Sequence, residues 1–362
     1  MPSEILSNLI PQLCEDKPTL SLLAQVSESS RTLAEPLLWR AIRLSPFSST
    51  QKTIYPATDY MPFRTSTSTP LEEEYQVMGS IGISDVVDKW IKPFIHHVKI
   101  LEVEHHPMDW CRSWSATNPS PILPNLQTLH LLYNNDGLTS AIHPAFPNRE
   151  CRLLNSLEPR TVVLDMPLVD GRNPISLSRS ISRSTRELIF VFGPSMRLVD
   201  GDICMIDEGM MGDLNLNLQR ITIVFVLSLL PKPQEGEEEE EVDEEAVEEA
   251  KRGLSNSTYL ISIFMAFERI PFTIVNAGYN EKMRFENEKI SMDVLDREAP
   301  GVFAERLYSM ASAYGWTEEE IQERQDGLSF LTLEEWAERR DMWDGKIGGE
   351  KLQRWREAMN GI

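Results

Sequence analysis

Apolar residues fall at positions 5, 6, 9, 10 and 13, which is one face of a helix. Pro2 and Ser3 precede it as a helix start, and Glu4 suits the positive end of a helix dipole. A second helical run puts Leu20, Leu23 and Ala24 on one face, with Leu22 and Val26 beside it, and a third starts near Ala34. So short a stretch cannot bury all of that apolar surface by itself, so some of it faces a partner or the rest of the chain.

From about residue 85 the period changes. A helix-like segment at 86–95 precedes a strand-like one at 97–103. Further strand-like segments follow at 123–131, 161–164, 185–191, 218–224 and 271–275, several with apolar residues two apart. The first five are spaced by roughly 25 to 35 residues, at or a little above the period of leucine-rich repeats. A strand with its connection cannot bury an apolar face alone, so such units must stack, and long connections favour parallel pairing. A doubly wound sheet is the rival. It needs more regular helices and, for a nucleotide, a Gly-rich phosphate turn, and neither GxGxxG nor a P-loop occurs.

Two polar stretches interrupt this rhythm. Residues 45–80 are rich in Ser, Thr and Pro and read as a linker. Residues 235–249 hold ten Glu and one Asp with no base, and read as a solvated, disordered insertion. After it, 257–267 reads as a buried helix. From Gly301 the chain reads as helical and charged: Thr317 caps a helix opened by Glu318, Glu319 and Glu320, and Thr332 with Glu335 forms a capping box. This terminal part would shield the last repeat.

The expected fold class is α/β (α+β): three N-terminal helices, an irregular solenoid of parallel strands, and a C-terminal helical cap. Its divisions are a helical domain at 1–44, the linker at 45–80, a repeat-like domain at 81–300 carrying the acidic insertion 232–252, and the helical region 301–362.

Composition narrows the functions. The net charge is −21, and taking away the eleven acids of 235–249 leaves −10. No basic excess remains to follow a nucleic-acid backbone, so no nucleic-acid partner is expected. The longest apolar stretch, 221–230, is about half of the roughly 20 residues that cross a bilayer, so no membrane association is expected. Cys14, Cys111, Cys151 and Cys204 lie far apart without CxxC spacing, which fits free thiols in a reducing compartment. No secretory signal pattern is visible, and cytosol or nucleus is the expected location.

His96-His97 and His105-His106 flank one predicted strand, with Cys111 near. Adjacent strand residues point to opposite faces and no finger or HExxH spacing is present, so no metal site is assigned. No Gly-x-Ser-x-Gly elbow or nucleophile pair appears. No cofactor and no catalytic residue is expected, and the chain reads as a non-enzyme.

The N-terminal residues nonetheless resemble a known family. Pro2-Ser3-Glu4-Ile5-Leu6, then Leu20 to Ser27, Leu33-Ala34 and Leu38-Trp39-Arg40 follow in order the pattern of an F-box. Leu123-Pro124-Asn125-Leu126-Gln127-Thr128-Leu129-His130-Leu131 resembles a leucine-rich repeat, and Leu331-Thr332-Leu333-Glu334-Glu335-Trp336 is similar to endings found in fungal F-box-like proteins.

The resemblance implies a substrate-recognition subunit of a Skp-cullin-F-box ubiquitin ligase. Residues 1–44 would bind the Skp-type adaptor, and through it the cullin complex, by Pro2, Glu4, Ile5, Leu6, Leu9, Ile10, Leu22 and Leu23. The repeats would hold an unidentified protein substrate. Its contact surface is expected on the outward residues of the clearest strands, Lys99, Glu102, Gln127, His130, Arg186 and Arg220, with the loop Tyr133-Asn134-Asn135-Asp136. The alternative is a leucine-rich-repeat-like scaffold without a ligase role, its N-terminal helices only capping the solenoid.

Overall fold

A computed structural model describes residue 13 and residues 16–44, 96–103, 123–132, 157–166, 179–192, 217–226, 270–277, 292–313, 315–347 and 349–360. The described helices and parallel strands make an α/β protein, in two compact units. Residues 1–162 and 177–185 form the first; 163–176 and 186–362 form the second. The linker 45–80, the acidic insertion, the helix read at 86–95 and the helix read at 257–267 lie outside the described residues.

The first unit begins with a helical hairpin, α1 (Lys17–Val26) and α2 (Glu28–Leu38). Asp16 starts α1: its Oδ1 accepts the Thr19 N–H at 3.1 Å. Ser27 stops α1 with extended backbone and caps α2, accepting the Ser30 N–H on its hydroxyl at 3.1 Å. Pro36 lies in the last turn of α2, and the helix ends two residues later. The third helix expected from about Ala34 is present as α2, which starts earlier, at Glu28, and stops at Leu38. The residues after it, Ala41–Leu44, form a strand, β1. The period-2 signal of so short a segment was hidden behind the helical pattern before it.

Strands β2 (Ile100–Val103) and β3 (Thr128–Leu132) follow, paired in parallel in the order β1, β2, β3. Each starts in the same way. The Arg40 carbonyl accepts the N–H groups of Lys99 and Ile100, at 2.8 and 3.0 Å; the Lys99 carbonyl accepts those of Gln127 and Thr128, at 2.8 and 2.9 Å. The Gln127 carbonyl accepts Arg160 and Thr161, both at 2.9 Å, where β4 (Thr161–Met166) begins. One carbonyl thus takes two successive amides at the start of three successive parallel strands. A short helix, α3 (Arg179–Ser184), also belongs to this unit.

In the second unit β5 (Glu187–Phe192), β6 (Arg220–Phe225), β7 (Phe272–Val275) and β8 (Leu328–Leu331) are again parallel and in chain order. β8 departs from the helical expectation for the charged stretch around it: Leu328-Ser329-Phe330-Leu331 pairs with β7 instead. Chain-ordered parallel neighbours, without a reversal of winding, set both units apart from a doubly wound sheet.

The two faces of the second sheet carry different side chains. One presents Phe190, Phe192, Phe225 and Phe272, with Phe192 and Phe225 stacked at 5.3 Å between ring centroids. Helix α4 (Met292–Ala313) sets Phe303 5.9 Å from Phe330, and its Ala299, Phe303, Leu307 and Ala311, four apart, form one buried stripe. The other face is smaller and β-branched: Ile189, Val191, Val224 and Val275 pack with Leu331. It is covered by the C-terminal segment, α6 (Leu333–Glu338), α7 (Arg340–Trp343) and α8 (Gly349–Asn360), following α5 (Glu318–Asp326). Leu333, Trp336, Met342, Ile347 and Leu352 are buried in that core.

Both predicted helix starts are present: Thr317 with Glu320 and Thr332 with Glu335 form complete capping boxes. Asn276 fixes the junction between β7 and α6. Its backbone is left-handed, with φ of 55°; its Nδ2 donates to the Phe225 carbonyl at 3.1 Å, and its Oδ1 accepts the Leu333 N–H at 2.8 Å. Lys346 holds the segment to β5, its Nζ donating to Glu187 Oε1 at 2.9 Å and to the Met342 carbonyl at 3.0 Å. Arg356 meets Glu334 through two nitrogens, which raises the guanidinium pKa further above its ordinary value.

Candidate functional site

The hairpin α1–α2 shows how an apolar sequence divides itself. Leu20, Ala34, Leu38 and Trp39 are buried, while Leu22 is 65% and Val26 73% exposed. These two are four apart, so they stand one turn above each other on α1. Among the described residues the large apolar side chains left exposed are Leu22, Val26 and Tyr308, so two of the three form this one stripe. Isolated exposed apolar residues are ordinary, but paired ones at helical spacing make a surface.

Of the residues expected to meet an adaptor, Leu22 lies on this stripe and Leu23 is half-buried. Pro2, Glu4, Ile5, Leu6, Leu9 and Ile10 lie outside the described residues. Val26 was placed beside the helical face in the sequence but not singled out as a contact. Its spacing from Leu22 is the signal that would have found it.

The expected substrate residues do not share an open sheet face. Glu102 and His130 are buried, 5% and 1% exposed, and are register partners on β2 and β3. Glu102 Oε1 lies 3.6 Å from His130 Nδ1, an ion pair when the imidazole is protonated. Alternation suggested one solvated face, yet in β2 and β3 the odd and even positions are both buried. Polar residues there are interior groups that partner each other.

Lys99, Gln127 and Arg186 are exposed, but each sits immediately before a strand, at its N-terminal end. Lys99 and Gln127 adjoin in the first unit, where the Lys99 carbonyl takes the Gln127 N–H. Arg186 and Arg220 adjoin in the second, the Arg186 carbonyl taking the Arg220 N–H at 3.3 Å. The Arg220 Nη1 stands 3.8 Å from Glu187 Oε1, the carboxylate that Lys346 also holds. Arg220 is thus half committed to the fold. The loop at 133–136 lies outside the described residues.

Among the described residues no three His, Cys, Asp or Glu side chains are grouped to hold a metal ion, and no helix is long and apolar enough to cross a membrane. His105, His106 and Cys111 lie outside them. No family model, no curated protein and no solved structure matches the chain.

Proposed function

We propose that the protein is a non-catalytic substrate-recognition subunit of a Skp-cullin-F-box ubiquitin ligase, working in the cytosol or nucleus. The observation that carries the reading is the exposed Leu22–Val26 stripe, on a helix inside the very stretch whose residue order resembles an F-box. The hairpin buries Leu20, Ala34, Leu38 and Trp39 and keeps this pair in water, which is costly unless a partner covers it. The adaptor would be that partner, and α1 would present the stripe to an apolar groove.

The strand starts supply the substrate side. Lys99 and Gln127 in one unit, and Arg186 in the other, are polar, exposed and fixed by backbone hydrogen bonds. Each rigid strand start of this kind binds with little loss of conformational freedom. The subunit would act by proximity, holding a lysine of its substrate near the ligase.

The scaffold alternative also has an observation in its favour. The hairpin runs straight into the first strand, with the Arg40 carbonyl beside α2 opening the backbone ladder of β2. Helices that only cap a solenoid would look the same.

Capture of purified Skp-type adaptor separates the two. Burial of one large apolar side chain contributes about 1.5–3 kcal/mol, so Leu22→Asp with Val26→Asp should weaken capture at least about tenfold. Undiminished capture by a folded double variant leaves the scaffold reading standing.

A further inference from the structure

The second unit contains a cavity of about 260 Å³ at the N-terminal ends of β7 and β8. Its walls include Pro271, Trp316, Glu320, Glu323, Arg324 and Gly327. The sequence explains the hollow. Gly315, with φ of 81°, turns the chain between α4 and α5 in a conformation that a side chain would strain, and places Trp316 next. Gly327 ends α5, donating its N–H to the Glu323 carbonyl at 3.2 Å, and offers no side chain to fill the space.

The charges in the wall are unequal in depth. Arg324 is 4% exposed; its Nη1 donates to the Ile270 carbonyl at 3.0 Å, and its guanidinium lies 5.0 Å from the Phe272 ring centre. That cation belongs to the inner wall. The carboxylates of Glu320 and Glu323 are on exposed residues of α5, as are Glu318, Glu319 and Asp326, and Arg324 is the one base on that helix. The outer field is negative, in front of a half-exposed indole.

We propose that this cavity receives a single arginine side chain from an extended segment of a protein partner. A volume below the about 300–1,000 Å³ of small-molecule pockets suits one side chain rather than a cofactor. Trp316 gives a face on which a guanidinium stacks, and the Glu323 carboxylate accepts its N–H groups, while the Glu320 carboxylate, which takes the Thr317 N–H at 2.8 Å, adds its negative charge. Arginine fits better than lysine because its planar group offers two parallel N–H groups to one carboxylate while it stacks on the ring. The site owes nothing to the N-terminal helices, so it stands or falls apart from adaptor binding.

The test is a titration of the full chain, isotope-labelled, with the capped tripeptides Gly-Arg-Gly, Gly-Lys-Gly, Gly-Leu-Gly and Gly-Glu-Gly, followed at the Trp316 indole N–H and the Gly327 amide. Gly-Arg-Gly should shift both signals saturably below about 10 mM, more tightly than Gly-Lys-Gly, and Gly-Glu-Gly should shift neither. Glu323→Gln should weaken binding about fivefold, and Glu323→Lys should abolish it with the spectrum otherwise unchanged. Equal shifts from Gly-Leu-Gly, no saturable shift from Gly-Arg-Gly, or undiminished binding by Glu323→Lys would overturn the assignment.

Discussion

The helices at the two ends of the described chain use apolar residues in opposite ways. The C-terminal segment buries Leu333, Trp336, Met342, Ile347 and Leu352 against the β-branched face of its sheet. The N-terminal hairpin buries Leu20, Ala34 and Leu38 but leaves Leu22 and Val26 in water. Both are amphipathic in sequence. The difference teaches that an amphipathic helix announces a buried face without saying who buries it. At the C-terminus the protein does so itself, so substitutions there should cost stability. At the N-terminus the exposed stripe should cost binding and almost no stability.

Trp336→Ala should break the C-terminal side of this contrast most sharply. The indole is fully buried, and emptying such a site costs about 3–5 kcal/mol. Urea unfolding followed by far-UV circular dichroism would measure it. A loss below 1 kcal/mol, on the order of a surface change, would mean that the segment is not part of the core.

Asn276→Ala should come next, at about 2–5 kcal/mol. It leaves the buried Leu333 N–H and Phe225 carbonyl without their side-chain partner and puts Ala at a positive φ. Asn276→Gly separates the two causes, since Gly accepts the backbone conformation and loses only the bonds. Equal stability of the Gly variant and the parent would show that the bonds contribute nothing.

Lys346→Met should cost about 1–3 kcal/mol, because it strips Glu187 of its closest cation in a mostly buried place. A double-mutant cycle with Glu187→Gln isolates the pair. Coupling near zero would assign the effect to the two carbonyls, of Asp341 and Met342, that Lys346 also caps.

Much of this architecture is legible in the residues. Six strands coincide with runs such as Leu188-Ile189-Phe190-Val191, and both Thr–Glu capping boxes follow from spacing alone. Two strands were hidden. Ala41–Leu44 and Leu328–Leu331 are four residues each and follow helical patterns, so a helix period extends over them until pairing decides otherwise. The candidate surface was harder to read. Alternation assigns residues to two faces but not to water, so Glu102 and His130 passed for surface residues until the neighbouring elements were known. Asn276 gives no local sign at all, because its partners are 51 and 57 residues away.

Leu22→Ser with Val26→Ser sharpens the N-terminal side of the contrast. Both residues are more than half exposed, so the double variant should unfold within about 0.5 kcal/mol of the parent. Its adaptor capture should fall. A large loss of stability would mean that the stripe is covered within the protein in solution, and the distinction between the two ends would vanish.

The smallest effect should come from the cap of α1. The Asp16 carboxyl is held below its ordinary pKa, first by the Thr19 side chain and then by the Thr19 N–H. A lowered pKa in the folded state means that the carboxylate contributes stability above its unfolded value and loses it as the pH falls through the folded one. Acidification through that range should fray the first turn of α1 before anything in the C-terminal segment responds. Amide exchange at Leu20, whose N–H goes to the Asp16 carbonyl at 3.0 Å, reads the fraying directly. Asp16→Asn keeps a capping oxygen but not the charge, and should flatten the pH response while leaving exchange at neutral pH nearly unchanged. If the Asn variant keeps the acid response, another carboxylate governs the hairpin. If it frays at neutral pH, the charge rather than the cap geometry positions the turn that carries Leu22.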